Sequence, residues 1–427
     1  MPTNIDIAII GAGPTGLCFA KALADTGLKI TIIERQTEAA LAEPAFDGRE
    51  IALTHHSAQL MRQLGLWERI DPQAISALRD ARVFNGSSLL SLNIGPENIR
   101  AKNTRSENTV SENTVSENTA SKNTASKNTA LADTQHSELG YLLANHLIRK
   151  AAYAAVKSSP AITLRTEAQV LNIKTDTNQA QITLTDGEII NAKLVIAADS
   201  RFSETRRAMG IAADIHDFGK TMMVCVMDHP ISHEHTAWEW FDYGQTLALL
   251  PMNGLRSSVV ITLPPDELNR LMALSEDDFN HEVSARFKQR LGPMRLSSTR
   301  HAYPLVTVYA KRLIGQRFAL LGDAAVGMHP VTAHGFNFGL TGLASLSAEI
   351  KAAVAAGHDI GSANLLLRYE KTHRRNTRPL FLATHAIAKI YASDSPPAKF
   401  LRASAIRIGN RIAPFKRAVA GFLADAH

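Results

Sequence analysis

At 427 residues the chain is long enough for two domains or one elaborated domain, and its hydrophobic content of 45% is ordinary for a globular protein. The two cysteines, Cys18 and Cys225, exclude a disulfide framework and a zinc-binding pattern, so we expect a reducing compartment and no metal site. The formal charge of +6 is compatible with nucleic acid, an anionic membrane surface or simple solubility. We see no signal peptide and no apolar run long enough to span a bilayer, which favours a cytoplasmic location.

The N-terminal region carries a nucleotide-binding pattern. Residues 5–35 are predicted to form, in order, a strand, a G-x-G-x-x-G turn, a helix, a strand and an acidic end, which is more specific than the glycines alone. Gly11 permits a tight turn, Gly13 lets the backbone approach a pyrophosphate, and Gly16 lets helix and strand pack closely. Glu34 is placed to take the hydroxyls of a ribose. The pattern does not separate NAD from FAD.

Two further buried strands end on acidic residues. Residues 194–198 precede Asp199, and residues 318–321 precede a Gly-Asp turn that contains Asp323. Ligands of α/β sheets bind at the carboxyl ends of the strands. A carboxylate at Asp323 could therefore accept hydrogen bonds from sugar-type hydroxyls.

The chain after Asp323 is predicted to lead through a loop into a helix. Pro330 prevents this loop from continuing as helix, and the helix begins at Gly335. The N–H groups of its first turn have no partner within the helix, so they could face an anion.

The remaining pattern alternates between helices and short strands. Helices are predicted at residues 57–66, 138–156 and 276–291. Antiparallel strands are predicted at residues 162–168, 170–173, 181–184, 222–227, 236–241, 246–251 and 257–262. Asn145 and His146 fall in the middle of the second helix, where the pattern favours surface positions. Arg49 precedes the first helix and is either a phosphate contact or an ordinary surface arginine.

Two segments stand apart from this pattern. Residues 101–135 include consecutive five-residue repeats of the form Ser-Glu/Lys-Asn-Thr-Val/Ala. Each repeat offers at most one small apolar residue, so the surface it can bury does not offset the conformational entropy lost on ordering. We predict a disordered insertion, with a stacked repeat solenoid as the alternative. Residues 401–423 are predicted to form a basic amphipathic helix, which either lies on an anionic membrane or packs on the domain with a solvated basic face.

Three predicted strands are each followed by an acidic residue. In this order along the chain they resemble the sequence pattern of the FAD-dependent aromatic hydroxylases, or class A flavoprotein monooxygenases. The glycine turn with Glu34 resembles that family's FAD fingerprint, residues 198–201 its second motif, and Gly322-Asp323 with His329-Pro330 its third. Within the family the chain is most similar to the ubiquinone-biosynthesis hydroxylases, of the UbiH, UbiF and UbiM type and most of all UbiM. The stretches that carry this similarity are residues 48–53, 64–67, 139–145, 247–251 and 329–339.

The resemblance implies an α/β fold with two interleaved domains. A Rossmann-like FAD-binding domain with a parallel sheet in three layers is assigned to residues 1–75, 136–205 and 300–375. An antiparallel-sheet substrate domain is assigned to residues 76–100 and 206–299. The low-complexity insertion at 101–135 and a C-terminal helical region at 376–427 complete the assignment.

The resemblance also implies a set of FAD-binding residues. They are Gly11, Gly13, Gly16, Glu34, Arg35, Arg49, Asn145, Asp199, Asp323, Pro330, Gly335 and Asn337. His334 is the one side chain proposed near the flavin ring, although a helix-start histidine satisfied by backbone is the alternative.

The chain departs from the family pattern at several positions. Ser200 stands where the second motif usually has glycine, which puts a tight backbone approach there in doubt. Residues usual in the third motif are replaced by Val326, His334, Phe336 and Phe338. The position at which the substrate ring is hydroxylated therefore cannot be inferred from the commoner members of the family. This combination of replaced residues is most similar to the UbiM type, which is associated with broad regioselectivity.

The implied activity is hydroxylation of a polyprenylated phenol or hydroquinone, such as 5-demethoxyubiquinol, at one or several ring positions. NAD(P)H or an external donor would reduce FAD, and O2 would then give a C4a-hydroperoxyflavin. Because such a substrate lives in the bilayer, we expect a peripheral protein on the inner face of the cytoplasmic membrane, beside other ubiquinone-biosynthesis proteins and without a nucleic-acid partner. The alternatives are a hydroxylase of a small soluble aromatic acid and a flavin-binding redox sensor without turnover.

Overall fold

The computed structural model describes residues 2–86, 91–95, 138–242, 244–329 and 335–392. The insertion at 101–135, the basic segment at 401–423, Pro330 and His334 lie outside the described residues. Within these ranges the strands form three sheets, which helices cover.

The strands and helices are numbered in chain order. The strands are β1 (Thr3–Ile10), β2 (Ile30–Ile33), β3 (Glu50–Leu53), β4 (Ser76–Leu78), β5 (Asp80–Asn85), β6 (Ser91–Ile94), β7 (Gly140–Ala144), β8 (Ile162–Arg165), β9 (Val170–Thr175), β10 (Ala180–Leu184), β11 (Ile189–Ala197), β12 (Ala213–Asp228), β13 (Thr236–Asp242), β14 (Gln245–Pro251), β15 (Arg256–Leu263), β16 (Arg295–Leu296), β17 (His301–Ala310), β18 (Ile314–Gly315), β19 (Phe318–Leu320) and β20 (Val326–Gly327). The helices are α1 (Pro14–Ala22), α2 (Glu38–Ala42), α3 (His55–Gln63), α4 (Asn145–Lys157), α5 (Glu204–Ala208), α6 (Pro265–Ala273), α7 (Glu276–Arg286), α8 (Gly335–Ala355) and α9 (Ala363–Ala392).

The parallel sheet has the arrangement that the sequence predicts. Strands β19, β11, β1, β2 and β8 lie side by side in that order and run parallel, while β18 and the β9–β10 pair extend the sheet with antiparallel partners. Helix α1 packs against α4 and α8. The side chains of Ile7, Ile9 and Phe318 are fully buried, as expected of strands covered on both faces. The Rossmann-like fold class is thus confirmed.

The antiparallel sheet is also confirmed, and it is larger than predicted. Its strands follow the order β20-β17-β12-β15-β14-β13-β5-β6. Because side chains alternate between the faces of a strand, Trp240 and Leu249 pack with Phe279 of α7 in a second apolar core. The neighbours Glu239 and Ala248 face the other way, into a cavity. The boundaries of the two predicted domains remain a prediction.

Two predicted elements are wrong. Residues 140–144 form strand β7 and pair with β3 and β4 in the third sheet, so the helix predicted from residue 138 begins at Asn145. The leucines of this stretch suit a helix face or a buried strand equally well. The strand forms because Gly140 lies against β3 so closely that a Cβ on Gly140 would be 2.3 Å from the Leu53 carbonyl oxygen. Strand β8 pairs parallel with β2, although its alternating pattern suggested an antiparallel strand.

Arg317, directly before β19, joins three parts of the fold. Its guanidinium donates to the carbonyl oxygens of Thr177 and Lys193, each with a contact at 2.9 Å, and pairs with Asp359 at 2.7 Å. Only 8% of the residue is exposed. Charged hydrogen bonds shielded from water are stronger than surface ion pairs, so Arg317 should be a structural residue.

We predict that Arg317→Leu lowers the free energy of unfolding by about 2–3 kcal/mol, because two backbone carbonyl oxygens and the Asp359 carboxylate lose the charged donor that the buried Arg317 supplies. Thermal unfolding followed by circular dichroism measures the effect. Arg165→Leu is the matched control, since Arg165 lies on the same sheet but pairs with Asp186 and Glu188 at the surface. Midpoint shifts of equal size in the two variants would contradict the structural role of Arg317.

Candidate functional site

A cavity of about 1030 Å³ extends from the carboxyl ends of the parallel strands to the inner face of the antiparallel sheet. Most of the predicted FAD-binding residues among the described ones line it. They are Gly11, Gly13, Glu34, Arg35, Arg49, Asn145, Asp199, Asp323 and Gly335. Gly16 and Asn337 are not part of the lining.

The glycine turn is closed by contacts that leave no room for a side chain. Gly11 has a φ of +104°, and a Cβ there would lie 2.6 Å from the carbonyl oxygen of Ala198. A Cβ at Gly16 would lie 2.1 Å from the carbonyl oxygen of Gly11. At Gly13 a Cβ would meet that same Ala198 oxygen only at 4.0 Å. The turn is therefore tight on its protein side and open on the side of the cavity.

Glu34 lies at the end of β2 in a fixed orientation beside this turn. Its Oε2 accepts a hydrogen bond from the backbone N–H of Ala12 at 2.7 Å, and its Oε1 accepts one from Gln36 N–H at 2.9 Å. Each carboxylate oxygen has a further lone pair available. With this geometry the Glu34 carboxylate can accept hydrogen bonds from two adjacent hydroxyl groups.

Ser200 follows Asp199 in a conformation that favours glycine. Its φ is +91°, well outside the regions that side chains prefer. Asp199 uses Oδ2 to accept a hydrogen bond from Thr205 N–H at 3.1 Å, while its buried Oδ1 has no partner among the described residues. The backbone thus keeps the glycine geometry of the second motif, with the serine under strain.

Asp323 is paired with Arg201 at the carboxyl end of β19. The Arg201 guanidinium contacts Asp323 Oδ2 at 2.9 Å and also donates to the carbonyl oxygen of Val306. A Cβ at Gly335 would lie 3.8 Å from the other oxygen, Oδ1, so the first residue of α8 faces this carboxylate. Sequence reasoning assigned no role to Arg201, although an arginine two residues after an acidic strand end is the available signal.

Asp47 is a second residue that sequence reasoning missed. It binds Arg49 at 2.6 Å and accepts a hydrogen bond from the Asn145 amide at 2.7 Å. Burial alone would raise the pKa of Asp47, but the hydrogen bond and charge of Arg49 outweigh it and lower that pKa. The Tyr303 hydroxyl donates to the Asp47 carbonyl oxygen, and the Arg49 guanidinium lies 5.4 Å from the centre of the Tyr303 ring. Asp47 therefore fixes Arg49 and Asn145 against the cavity.

Asn145 and Asn337 are both buried. Asn145 is 5% exposed and begins α4, so the surface position suggested by pattern is wrong. The Asn337 side chain is 2% exposed, donates to the Ala52 carbonyl oxygen at 2.8 Å and accepts from Thr54 N–H at 3.3 Å. It joins α8 to β3 and α3.

The far wall of the cavity is the inner face of the antiparallel sheet. It is mostly apolar or small, with Val224, Ala248, Leu250 and Val260 contributed by neighbouring strands. His329 closes one side, and burial lowers its pKa to about 4, so the ring is neutral at pH 7.

Two carboxyl groups with raised pKa values line the cavity, Glu239 on β13 of the antiparallel sheet and Glu50 on β3 of the third sheet. Burial raises the pKa of Glu50 to about 8, with the charge of Asp47 adding to the effect. Burial alone raises the pKa of Glu239 to about 8. Both residues line the cavity, and both are mostly protonated at pH 7.

The cofactor end of the cavity fits FAD. The N-terminus of α1 follows Gly13 without a side-chain cap and faces the open side of the turn, where a pyrophosphate would complement the free N–H groups. Glu34 presents its carboxylate for a ribose, and the unpartnered Asp199 Oδ1 points to a further polar contact. The cavity then continues to Asp323 and the start of α8.

Comparison with protein families and relatives agrees with this geometry. A family model described as FAD binding domain matches residues 4–380. The chain is 43% identical to Ubiquinone hydroxylase UbiM of Neisseria meningitidis over 98% of its own length and 84% of the relative's. The chain belongs to the family of FAD-dependent ubiquinone hydroxylases. As predicted, it is an FAD-dependent monooxygenase.

Further relatives place this hydroxylase within a wider group. It is 32% identical to Ubiquinone hydroxylase UbiL of Rhodospirillum rubrum, over 96% of the chain and 87% of the relative. Among solved structures, p-nitrophenol 4-monooxygenase PnpA from Pseudomonas putida DLL-E4 is similar with a TM-score of 0.75 at 17% identity, covering 99% of both chains. At that identity the likeness supports the fold.

We predict that Ser200→Gly raises the free energy of unfolding by about 1 kcal/mol, because relief of the positive φ exceeds the extra chain entropy of glycine. Urea unfolding of the purified hydroxylase measures the change. Ser200→Ala is the control, since it removes the hydroxyl but keeps the Cβ and hence the strain. A gain with alanine as large as the gain with glycine would show that the backbone conformation is not the cause.

Proposed function

We propose that this hydroxylase inserts one oxygen atom from O2 into the aromatic ring of a polyprenylated phenol or quinol during ubiquinone biosynthesis. The observation that carries the proposal is the continuity of the cavity. Groups suited to FAD line one end, and a largely apolar sheet face lines the other. An apolar wall can bury a prenylated ring beside the cofactor. The name of the UbiM relative and its 43% identity support the same substrate class.

The cofactor-binding residues would each meet a different part of FAD. Gly13 and the start of α1 would hold the pyrophosphate, with Arg35 and Arg49 near its charge, and Glu34 would hold the adenosine ribose. When bound, FAD supplies the oxygen-activating chemistry, with electrons from NAD(P)H or an external donor.

The remaining polar groups would complete the site at the flavin. Asp323 would accept hydrogen bonds from the ribityl hydroxyls, with Arg201 holding the carboxylate in place. The Asn145 amide and the Asp199 carboxylate are further polar contacts for the cofactor. The backbone N–H groups of α8 from Gly335 onward would face the pyrimidine edge of the flavin ring, where they stabilise negative charge.

We further propose that the protein works as a peripheral protein on the inner face of the cytoplasmic membrane, beside other ubiquinone-biosynthesis proteins. A prenylated substrate partitions into the bilayer, and the basic segment at residues 401–423 has the composition of a surface-binding helix. Among the described residues, no helix has both the length and the hydropathy required to cross a bilayer.

The proposal is tested by complementation. The hydroxylase is expressed in bacterial strains that each lack one of their own ring hydroxylases, and extracted quinones are analysed by mass spectrometry. We expect restored ubiquinone, and the set of rescued strains identifies the ring carbons. A folded, yellow protein that rescues none of the strains would refute the quinone assignment. If soluble phenols then stimulated the oxidation of NAD(P)H, the result would favour a hydroxylase of a small aromatic acid. If they did not, it would favour a flavin-binding redox sensor without turnover.

We predict that Glu34→Gln weakens FAD binding about 10- to 100-fold, because a neutral amide replaces charged acceptors for the ribose hydroxyls. Titration of the apoprotein with FAD, followed by quenching of flavin fluorescence, gives the dissociation constant. Glu38→Gln on the neighbouring helix is the control, since Glu38 pairs with Lys157 outside the cavity and should leave the constant unchanged. Unaltered affinity in Glu34→Gln would remove Glu34 from the FAD site.

A further inference from the structure

Glu239 is placed where the apolar sheet face meets the cavity. Its Cα partners are Val83 on β5 and Ala248 on β14, and Ala248 pairs in turn with Val260 on β15. Ala248, Val260 and Glu239 all line the cavity. A carboxyl group in such a row is costly to bury, so its position calls for an explanation other than stability.

The carboxyl group of Glu239 makes no compensating contact in the protein. Among the described residues neither of its oxygens has a hydrogen-bond or ion-pair partner, and burial is the only cause of its raised pKa. Glu50 differs because, besides burial, the charges of Asp47 and Arg256 act on its pKa.

A second polar atom on the same wall is also unpartnered. The Ser258 hydroxyl is buried, lines the cavity and has no hydrogen-bond partner among the described residues. Ser258 lies on β15 two residues before Val260, so it faces the same side of the sheet as the row that contains Glu239. Two unpartnered polar groups in an apolar wall indicate a ligand that carries polar atoms on an apolar body.

We propose that Glu239 binds a ring hydroxyl of the substrate and accepts its proton while the ring is oxygenated, an assignment that rests on the proposed function. A phenol or quinol ring has the required chemistry, since its hydroxyl donates one hydrogen bond and its body is apolar. The Ser258 hydroxyl would donate to an oxygen substituent on the same ring.

The proton and electrons balance as follows. The phenolic O–H breaks, its proton goes to the Glu239 carboxylate, and the electron pair left on oxygen enters the ring, which makes the ring carbon more nucleophilic toward the activated oxygen. That carbon then loses its hydrogen as a proton, which becomes one of the two protons of the water formed, and Glu239 returns its own proton to the phenolate. One oxygen atom of O2 joins the ring, and two electrons from NAD(P)H or the external donor reduce the other to water.

The protonation state of Glu239 gives the reaction a pH dependence. With a pKa of about 8, the carboxylate is the minor form at pH 7, so turnover should rise toward pH 8–9 as the base forms. On the antiparallel sheet Lys220 of β12 and Tyr303 of β17 also line this cavity, and Glu50 on β3 and His329 line it from other segments. Because Glu50 also has a raised pKa, only a variant at position 239 can assign the profile.

The test compares Glu239→Gln with the parent holoenzyme on a short-chain prenylated phenol, from pH 6 to pH 9. We expect kcat for hydroxylation to fall about 100-fold, KM to change less than about 3-fold, and the rise of activity with pH to disappear. Glu239→Asp keeps the base and should retain the pH-dependent rise at lower kcat. Glu267→Gln, an exposed glutamate on α6, is the matched control and should behave as the parent.

The outcomes separate this assignment from the proposed function. Parent enzyme that hydroxylates no prenylated phenol overturns the proposed function itself. If the parent is active and Glu239→Gln has the same kcat and the same pH profile as the parent, the role of Glu239 alone is overturned. A fall in kcat with a normal bound-flavin spectrum, continued NAD(P)H oxidation and less product per NAD(P)H supports the role, because the cofactor site is then intact. Loss of bound flavin in both position-239 variants would contradict it by showing a structural role.

Discussion

The cofactor end of this hydroxylase depends on the contact between the first glycine turn and the end of β11. A Cβ at Gly11 would collide with the Ala198 carbonyl oxygen, and one at Gly16 would collide with Gly11 itself. Only glycine lets the N-terminus of α1 lie this close to two strand ends. The same contact places Asp199 beside the turn, so the first and second motifs act as one structural unit. Larger residues at either glycine would displace the helix whose N-terminus faces the proposed pyrophosphate position.

The substrate end depends on a different constraint, the two-residue period of the antiparallel sheet. Trp240 and Leu249 face the apolar core with α7, while their neighbours Glu239 and Ala248 face the cavity. One sheet thus stabilises the fold on one side and forms a binding wall on the other. Glu239 stands in that wall and Glu50 lines the same cavity from β3, and the partial desolvation of both carboxyl groups raises their pKa values. Such exceptions to the rules of folding are concentrated at functional sites.

Between the two ends, Asp47 connects the cavity to the framework. It orients the Arg49 guanidinium and the Asn145 amide, and its backbone carbonyl accepts the Tyr303 hydroxyl from the antiparallel sheet. The opposite charge of Arg49 keeps Asp47 ionised despite its burial. The Arg49 and Asn145 side chains, both proposed to contact the cofactor, are therefore held in place by Asp47, which lowers the entropy lost on binding.

The order of strands, glycines and acids along the chain was enough to predict the fold class, and its resemblance to a known family predicted that family and FAD as the cofactor. The individual FAD-binding residues remain predictions. Those signals are local, since a strand followed by a glycine turn and a helix contains most of its own geometry. The surface position proposed for Asn145 and the helix proposed from residue 138 were wrong for one reason. The leucines of residues 140–144 satisfy either period, and only pairing with β3 and β4 selects a strand. Asp47 and Glu239 belong to no sequence motif, and Arg201 lies in the second motif, which by itself did not indicate the pairing of Arg201 with Asp323. Asp47 and Arg201 pair with residues that are distant in sequence, and Glu239 has no partner on any neighbouring segment that the structure describes. Which groups a side chain meets, and whether it is shielded from water, is determined only when the chain has folded.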